Sequence, residues 1–423
     1  MSAKNSVADY NAELEKYSDY VADRIKKVVE GIGPRESGCD SEHRAQEFVT
    51  ADMKDYADEI RKEKFSLHPK AFMAWVTMDS IMVFISAILL LLVLFGVIQS
   101  TVVNIIMLVL SALAVAFFIG EFLLYKQMLD PIFPKKDTYN VVCSRKPKGE
   151  VKRRIILSGH VDSAYEWHYT YWGGGHLMVA VSAYAIIAMI AHLVMDILVL
   201  CGVTAAPLII IMKVLGFVSI PGLILAMFFV GWKTVVPGAN DNLTGVFASM
   251  AVMRFLKDND IRFENTEVVS ISMACEEAGL RGAKAFAKAH AAEYAAEEGV
   301  ETVAICTDTL RDYNDMGVYN RDLTGTVKLD GQAVSLLKKG SEEAGLDLPF
   351  CSVFFGSSDA AALVQGGMKA TLLAAMDPTP AQYYHTRLDT ADNLDPKTIK
   401  AGLDTLISSV FIFDEQGLPK AEK

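Results

Sequence analysis

Hydrophobic residues are concentrated in two stretches of the chain that are almost free of charged side chains. Residues 80–120 contain no Asp, Glu, Lys or Arg, and residues 167–232 contain only Asp196 and Lys213. A helix needs about 20 apolar residues to cross a bilayer, so each stretch is long enough for two spans. The pattern therefore predicts four transmembrane helices in two hairpins. Four such lengths in two pairs argue against the alternative, a set of helices buried in a soluble core.

The four spans are predicted from the apolar runs at 81–124, which a break at 99–104 divides, at 177–200 and at 207–231. Pro221 lies inside the fourth span and predicts a kink there. Asp196 and Lys213 lie near the far ends of their helices, where we expect them to pair or to reach outward to the headgroups.

Two hairpins return the chain to the side of the membrane on which it began, so the remaining residues should form one globular domain. We predict that this domain is discontinuous and that the hairpins occupy 71–126 and 173–231. The domain comprises 1–70, 127–172 and 232–423, which is ample for a large core.

Basic residues indicate the orientation of this arrangement. The two hairpin tips carry no Lys or Arg, whereas the flanks on the domain side carry Arg61, Lys62, Lys64, Lys70, Lys126, Lys135 and Lys136. Cytoplasmic flanks are enriched in Lys and Arg, so the sequence predicts a multi-pass protein of the cell membrane with its globular domain in the cytoplasm. The only four tryptophans also flank spans on the domain side, which is typical of an interfacial aromatic belt. They are Trp75, Trp167, Trp172 and Trp232.

Composition narrows the class of protein further. The 423 residues are 52% hydrophobic, and the net charge of −11 argues against a nucleic-acid-binding protein, which would need a basic face. The six cysteines show no CxxC spacing, so neither a zinc ribbon nor a disulfide framework is expected. The polar N-terminal segment has no signal-peptide pattern, and reduced thiols in the cytoplasm fit best.

Outside the hydrophobic stretches, short apolar runs alternate with amphipathic ones. This pattern predicts an α/β fold with a mixed, mainly parallel sheet covered by helices on both faces. The predicted strands are 60–67, 139–144, 153–159, 266–274, 302–307, 350–355 and 370–375. The predicted helices are 7–30, 41–57, 242–257, 279–298, 332–344, 358–365 and 397–414.

Residues of the types that bind metal ions follow several of these strands. His160 ends the strand 153–159, and Asp162 stands two positions later, where a carboxylate can orient an imidazole ligand. Asp241 lies in the turn GANDNLTG that leads into a helix. Each feature alone has a plain structural interpretation: most HxD pairs are structural, and Asp241 could cap the helix.

Four further residues, at three places in the chain, strengthen the metal interpretation. Glu276 and Glu277 follow the strand 266–274, Asp308 follows 302–307, and His385 opens a turn after the last strand. Adjacent carboxylates repel each other unless a cation or proton is present, although a solvated loop is an equally ordinary explanation for the pair. Such residues after so many separate strands or turns are hard to explain as independent accidents, because ligands in α/β sheets bind at the carboxyl ends of strands.

The motifs together resemble the co-catalytic zinc aminopeptidases, family 28 of the metallopeptidases, which includes bacterial leucyl aminopeptidases, glutamate carboxypeptidase II and the inactive transferrin receptor ectodomain. The matching stretches, in chain order, are GPRESGCDSEHRAQEFV, LSGHVDS, PGANDNLTGV, CEEAGLRGA, TDTL, SSDAAALVQGG and YYHTRLDTADNLD. They cover roughly 18–68 and 133–415, apart from the second hydrophobic insertion. Order and spacing agree except at the insertions, the second of which separates His160 from Asp241 by 81 positions.

The resemblance implies a zinc-aminopeptidase-like fold and two Zn²⁺ ions per chain. It implies that His160, Asp308 and Asp241 bind one ion, and that Glu277, His385 and the bridging Asp241 bind the other.

Three further roles follow from the same resemblance. Glu276 matches the general base, and Asp162 matches the carboxylate behind His160. Tyr384 matches a position that polarises the scissile carbonyl in some members of the family.

The predicted function is therefore that of a membrane-embedded dizinc metallopeptidase, most simply an aminopeptidase. Its partners would be the lipid bilayer and a peptide substrate, which can be hydrophobic or membrane-associated. The alternatives are a catalytically inactive scaffold or binding protein with this fold, a transporter subunit, and, among hydrolases, a carboxypeptidase, a dipeptidase or an acyl-amino-acid hydrolase.

The position of the active site relative to the membrane has two interpretations. Trp232, at the end of the second hydrophobic stretch, lies only nine residues before Asp241, which is at most about 30 Å of extended chain. The site could open toward the bilayer, or the hairpins could be simple anchors below a cleft that faces the cytosol.

Overall fold

The fold is built from eleven α-helices and eleven β-strands within the part of the chain that the structure, a computed structural model, describes, residues 2–379 and 381–421. The helices are α1 (Tyr10–Gly31), α2 (Asp40–Met53), α3 (Ala71–Leu94), α4 (Thr101–Phe117), α5 (His168–Leu200), α6 (Ala206–Met227), α7 (Thr244–Asp258), α8 (Arg281–Ala296), α9 (Gly331–Glu343), α10 (Asp359–Gln365) and α11 (Pro396–Gln416). The strands are β1 (Glu59–Leu67), β2 (Lys136–Arg145), β3 (Arg153–His160), β4 (Tyr165–Trp167), β5 (Val230–Val235), β6 (Thr266–Met273), β7 (Glu301–Leu310), β8 (Met316–Asp322), β9 (Val327–Lys328), β10 (Phe350–Ser352) and β11 (Ala370–Ala375).

The central sheet has the order β1-β2-β6-β3-β7-β11-β8-β10, with β9 paired to β8. Its four middle strands, β6, β3, β7 and β11, are parallel, and antiparallel pairs flank them on both sides. Helix α7 packs against β3, β6 and β7, whereas α8 and α10 pack against each other and α10 also contacts β7 and β11. The predicted fold class, a mixed sheet with a parallel core between helices, is confirmed.

Sequence reasoning missed two strands of this sheet, β8 and the two-residue β9, and overestimated the length of another. Strand β8 follows β7 after a short 3₁₀ turn. Its second half is polar, so its sequence lacks the apolar pattern from which the other strands are predicted. The predicted strand 350–355 is shorter, because only β10 pairs with β8 before the chain leaves the sheet.

Among the described residues, four helical segments are long and apolar enough to cross a membrane: Ala71–Leu94, Thr101–Leu123, His168–Leu200 and Ala206–Met227. They expose large apolar side chains such as Val102, Ile187 and Ile210, each more than 60% exposed. Continuous apolar surface of this kind is unusual on a soluble protein and is typical of contact with lipid. The four predicted spans are therefore present as candidate membrane helices.

The first candidate membrane helix begins at residue 71, where the predicted first hairpin begins. Helix α3 starts at Ala71, ten residues before the apolar run, and it therefore contains Asp79. Helix α5 begins at His168, directly after β4, and departs from helical geometry at Gly173 and Gly174.

The expectation that Asp196 pairs with Lys213 or reaches outward is wrong. Asp196 is fully buried between the helices and accepts a hydrogen bond of 2.7 Å from the Ser86 hydroxyl. The Lys213 ammonium lies 4.2 Å from the centre of the Phe95 ring. Asp196 therefore links α5 to α3, as interhelical hydrogen bonds do in membrane proteins.

Candidate metal centre

The predicted ligands converge at the carboxyl ends of the parallel strands. His160 is the last residue of β3, Asp308 lies near the end of β7, and Glu277 follows β6. Asp241 comes from the turn before α7, and His385 from the turn after β11. Neighbouring parallel strands end at the same edge of the sheet, so residues far apart in sequence meet there.

Asp241 stands between the two histidines. Its Oδ1 lies 3.2 Å from Nε2 of His160, and its Oδ2 lies 3.1 Å from Nε2 of His385. Each oxygen of one carboxylate thus faces a different imidazole, which is the geometry needed to bridge two cations.

The other carboxylates complete two groups around these histidines. Glu277 Oε1 lies 3.3 Å from Nε2 of His385, and Asp308 Oδ1 lies 3.9 Å from Nε2 of His160. Glu276 Oε2 lies 3.8 Å from the same His160 nitrogen. Zinc binds nitrogen and oxygen ligands at about 2.0–2.2 Å, so two ligands of one ion lie about 3–4 Å apart, and the donor set fits Zn²⁺ in both spacing and chemistry.

The electrostatics of the cluster also favour cations. Burial and the neighbouring carboxylates raise the pKa of Asp308 to about 8, and burial raises the pKa of Glu276 well above its usual range. Burial disfavours the charged form of His385, but Glu277 and Asp241 outweigh it and raise its pKa to about 10. Without metal, the site therefore holds extra protons, and metal ions can take their place.

Asp162 contacts the ligand cluster on the side of His160 that faces away from Asp241. Its Oδ1 lies 3.5 Å from Nδ1 of His160, the nitrogen that faces away from Asp241. Its two oxygens also accept the backbone N–H groups of Glu276 and Glu277, at 3.0 and 3.1 Å. One buried carboxylate therefore orients both an imidazole and the turn that carries the glutamate pair, which extends the role implied by the family resemblance.

Arg35 is a buried residue of the site that sequence reasoning did not single out. It donates to the carbonyls of Val161, Pro237 and Gly238 at 2.5–2.7 Å. Burial lowers its pKa to about 10, so it stays protonated at neutral pH. Arg35 thus ties the loop after His160 to the loop before Asp241.

Two buried acidic residues also support ligand turns and were missed. Asp389 accepts the backbone N–H groups of Asn240 and Asp241 at 2.9 and 3.0 Å. Glu42 accepts the backbone N–H of Cys275 at 2.9 Å, directly before Glu276. Neither position could be identified from local pattern, because both act only through contacts with distant segments.

The second hydrophobic hairpin is attached directly to the His385 turn. The backbone N–H of Trp167 donates to the His385 carbonyl at 2.9 Å. The centres of the Trp167 and His385 rings are 4.3 Å apart, and the rings meet edge to face. Next to it, Glu166 accepts two 2.6 Å hydrogen bonds from the Arg387 guanidinium. Trp167 is the last residue before α5, so a candidate membrane helix begins at the metal centre.

Tyr384 lies beside His385, with their rings stacked 4.0 Å apart. Burial and the nearby carboxylates raise the pKa of its hydroxyl well above the usual range, so it remains a hydrogen-bond donor. This environment fits the carbonyl-polarising role that the resemblance implies.

A cavity of about 600 Å³ connects the metal centre to the hydrophobic helices. At one end it is lined by Asp241, Glu276, Glu277, Asp308, Tyr384 and His385. Its other walls come from α3, α5 and α6, which contribute Trp75, from β4, which contributes Trp167, and from residues within 314–319, 349–358 and 372–379 of the globular domain. These two tryptophans therefore face the cavity, whereas Trp172 is 61% exposed, as an interfacial residue would be.

Comparison with known proteins agrees with this arrangement. A model of Peptidase family M28 matches residues 227–410. The matched segment covers less than half of the chain but contains Asp241, Glu276, Glu277, Asp308 and His385. It begins where α6 ends, directly after the second hydrophobic insertion. No curated protein matches the chain.

Solved structures with the same fold include two aminopeptidases. The aminopeptidase from Aneurinibacillus sp. strain AM-1 is 15% identical, with 95% of each chain covered and a TM-score of 0.53. BSAP, a zinc aminopeptidase from Bacillus subtilis, is 13% identical, with 96% of each chain covered and a TM-score of 0.53. A glutaminyl cyclase from Fimbriiglobus ruber is 14% identical, with 95% of this chain and 94% of that one covered and a TM-score of 0.52. At these identities the likeness establishes the zinc-aminopeptidase fold, and one fold can carry more than one reaction.

Proposed function

We propose that this protein is a membrane-embedded dizinc aminopeptidase. The observation that carries the proposal is the position of Asp241, whose two oxygens each face a different histidine. One zinc ion would be held by His160, Asp308 and Asp241, and the other by Glu277, His385 and Asp241.

The chemistry of such a pair is to polarise the scissile carbonyl and to lower the pKa of the attacking water. Glu276 accepts the proton of that water on its carboxylate and returns it to the leaving amine. Asp162 fixes the Nδ1 side of His160 and the backbone of Glu276, so the base stays at a constant distance from the reacting atoms.

Tyr384 and the carboxylates orient the substrate. The Tyr384 hydroxyl donates a hydrogen bond to the oxygen of the scissile carbonyl as negative charge develops there. The free α-amine of the substrate would lie at the metal centre, close to the carboxylates of Glu277 and Asp308 that would hold the ions.

The proposal places the peptidase domain at the cytoplasmic face of the cell membrane, with the four hydrophobic helices in the bilayer. It is supported by the basic flanks on the domain side and by the direct connection of α5 to the metal centre.

The decisive experiment combines elemental analysis with hydrolysis of a panel of aminoacyl-nitroanilides by the purified protein in detergent. We expect about two zinc ions per chain and hydrolysis that a chelator abolishes and zinc restores. N-acetyl-leucyl-nitroanilide, which lacks the free amine, should not be cleaved.

The same preparation separates the other candidate functions. Two bound zinc ions without hydrolysis of any substrate would identify an inactive scaffold. Formation of pyroglutamate from peptides with N-terminal glutamine, without hydrolysis, would identify a cyclase instead of a peptidase.

A further inference from the structure

On the basis of the proposed aminopeptidase activity, we infer that the substrate is a peptide whose first four or five residues are apolar, and that Asp79 positions it in the membrane part of the cavity. The geometry that points to this class is a cavity that α3, α5 and α6 help to line, with one unpartnered carboxylate on its wall.

The cavity is larger than a single side chain requires. At about 600 Å³ it lies in the range of pockets that hold whole drug-sized ligands. Its membrane walls are apolar and include Val76 and Val83 from α3, Ile186 and Met189 from α5 and Leu223 from α6. An aminopeptidase substrate has only one residue before the scissile bond, so a cavity of this size takes the residues after that bond.

Asp79 contributes a carboxylate to this largely apolar wall, which also contains the hydroxyl groups of Ser80 and Ser182. It is 3% exposed and lines the cavity, and within the described part of the chain neither of its carboxylate oxygens has a hydrogen-bond partner. Buried polar groups are almost always hydrogen-bonded, because leaving one unpaired is costly. A ligand that supplies a donor at this depth would satisfy it.

The required donor distinguishes a peptide from other apolar ligands. An extended peptide has one N–H group per residue, and those groups also need acceptors inside an apolar cavity. A hydrocarbon chain fills the same volume but offers no donor to Asp79. The unpartnered carboxylate therefore favours a peptide backbone over an acyl chain.

The position of Asp79 sets the length of the peptide. Phe72 marks the metal end of α3, because its ring packs against Gly279, two residues after Glu277. Asp79 is seven residues further along the helix, or about 10 Å. An extended chain covers that distance in about three residues, so only peptides of four or more residues reach Asp79.

The test compares kcat/KM for leucyl-leucine amide and for penta-leucine amide, with the zinc-loaded protein in nanodiscs. We expect the pentapeptide to be favoured by about tenfold or more over the dipeptide, since a buried hydrogen bond has about this effect on binding. Asp79→Leu should reduce this preference about tenfold, and Asp79→Asn, which keeps an acceptor, should retain it. Ala185→Phe, which fills the cavity from α5, should also reduce the preference.

Two controls make the result specific. Ile81→Ala changes a lipid-facing residue of α3 outside the cavity wall and should leave the length preference intact. Leucyl-dodecylamide has no N–H beyond the first amide, so its hydrolysis should be insensitive to Asp79→Leu. An equal loss on this substrate, or no preference for the pentapeptide in the unmodified protein, would overturn the inference.

A binding measurement separates this inference from the proposed activity. Trp75 and Trp167 line the cavity, so tryptophan fluorescence of the Glu276→Gln protein reports on peptide binding without turnover. We expect the Kd for penta-leucine amide to rise about tenfold when Asp79→Leu is added. If no peptide is hydrolysed but this difference is found, the peptidase proposal fails and the binding site stands. An unchanged Kd overturns the role of Asp79.

Discussion

At the scale of single residues, Glu276 carries the proton transfer. Glu276→Gln keeps the size of the side chain but removes its ability to accept a proton, so we expect kcat to fall by about 10²–10⁴-fold or more. Zinc content should stay near two ions per chain, because Glu276 is not among the proposed ligands. Glu298→Gln, at an exposed position, serves as the control. Near-normal kcat in the Glu276 variant would remove it from this role.

The position of Asp241 between the two histidines gives a second prediction at the scale of single residues. Asp241→Ala should lose both zinc ions together, because a single carboxylate faces both histidines. His385→Ala removes a ligand of only one ion and should lose mainly that one. Elemental analysis of both variants, with the exposed Asp40→Ala as control, is the measurement. Two zinc ions in Asp241→Ala would contradict the bridging assignment.

At the scale of elements, Arg35 fixes the loop after β3 against the loop before α7. Arg35→Met would leave the carbonyls of Val161, Pro237 and Gly238 without their donor, each at a cost of about 1–3 kcal/mol. We expect the free energy of unfolding to fall by about 3 kcal/mol or more, together with weaker zinc binding. Thermal unfolding and zinc titration in detergent test this. Arg44→Met, on the exposed side of α2, should change neither quantity.

At the scale of the whole molecule, the orientation in the membrane is the main prediction. Cys201 is exposed at the tip of the second hairpin, directly after α5. If the domain is cytoplasmic, a membrane-impermeant maleimide should label Cys201 on intact cells and should not label a Cys201→Ser protein.

The complementary site for this experiment is Glu342, which is exposed at the end of α9. A cysteine introduced by Glu342→Cys in the Cys201→Ser protein should react only after the cells are lysed. Labelling of this position on intact cells would invert the orientation.

The sequence alone determined seven of the nine strands of the central sheet, the apolar helices and the predicted metal ligands. These features are local: an apolar run between turns defines β3 or β7, and His160 or Asp308 is read directly at its end. The parallel order of the strands then follows from the alternation with helices, so the convergence of these residues could be expected before any coordinates. Their roles as ligands stay predictions, because the structure supplies distances and not the ions.

Only the tertiary structure decided what supports the metal centre and what the cavity can hold. Arg35, Glu42 and Asp389 have no local signature, because each acts by hydrogen bonds to segments that are distant in sequence. Asp79 lies just before the charge-free run, and only the tertiary structure shows that α3 carries it to the wall of the cavity. The sequence pattern left open whether the hairpins were anchors or part of the site. That choice depends on how α3, α5 and α6 pack around a shared cavity, and packing between distant helices is not encoded in any single stretch of the chain.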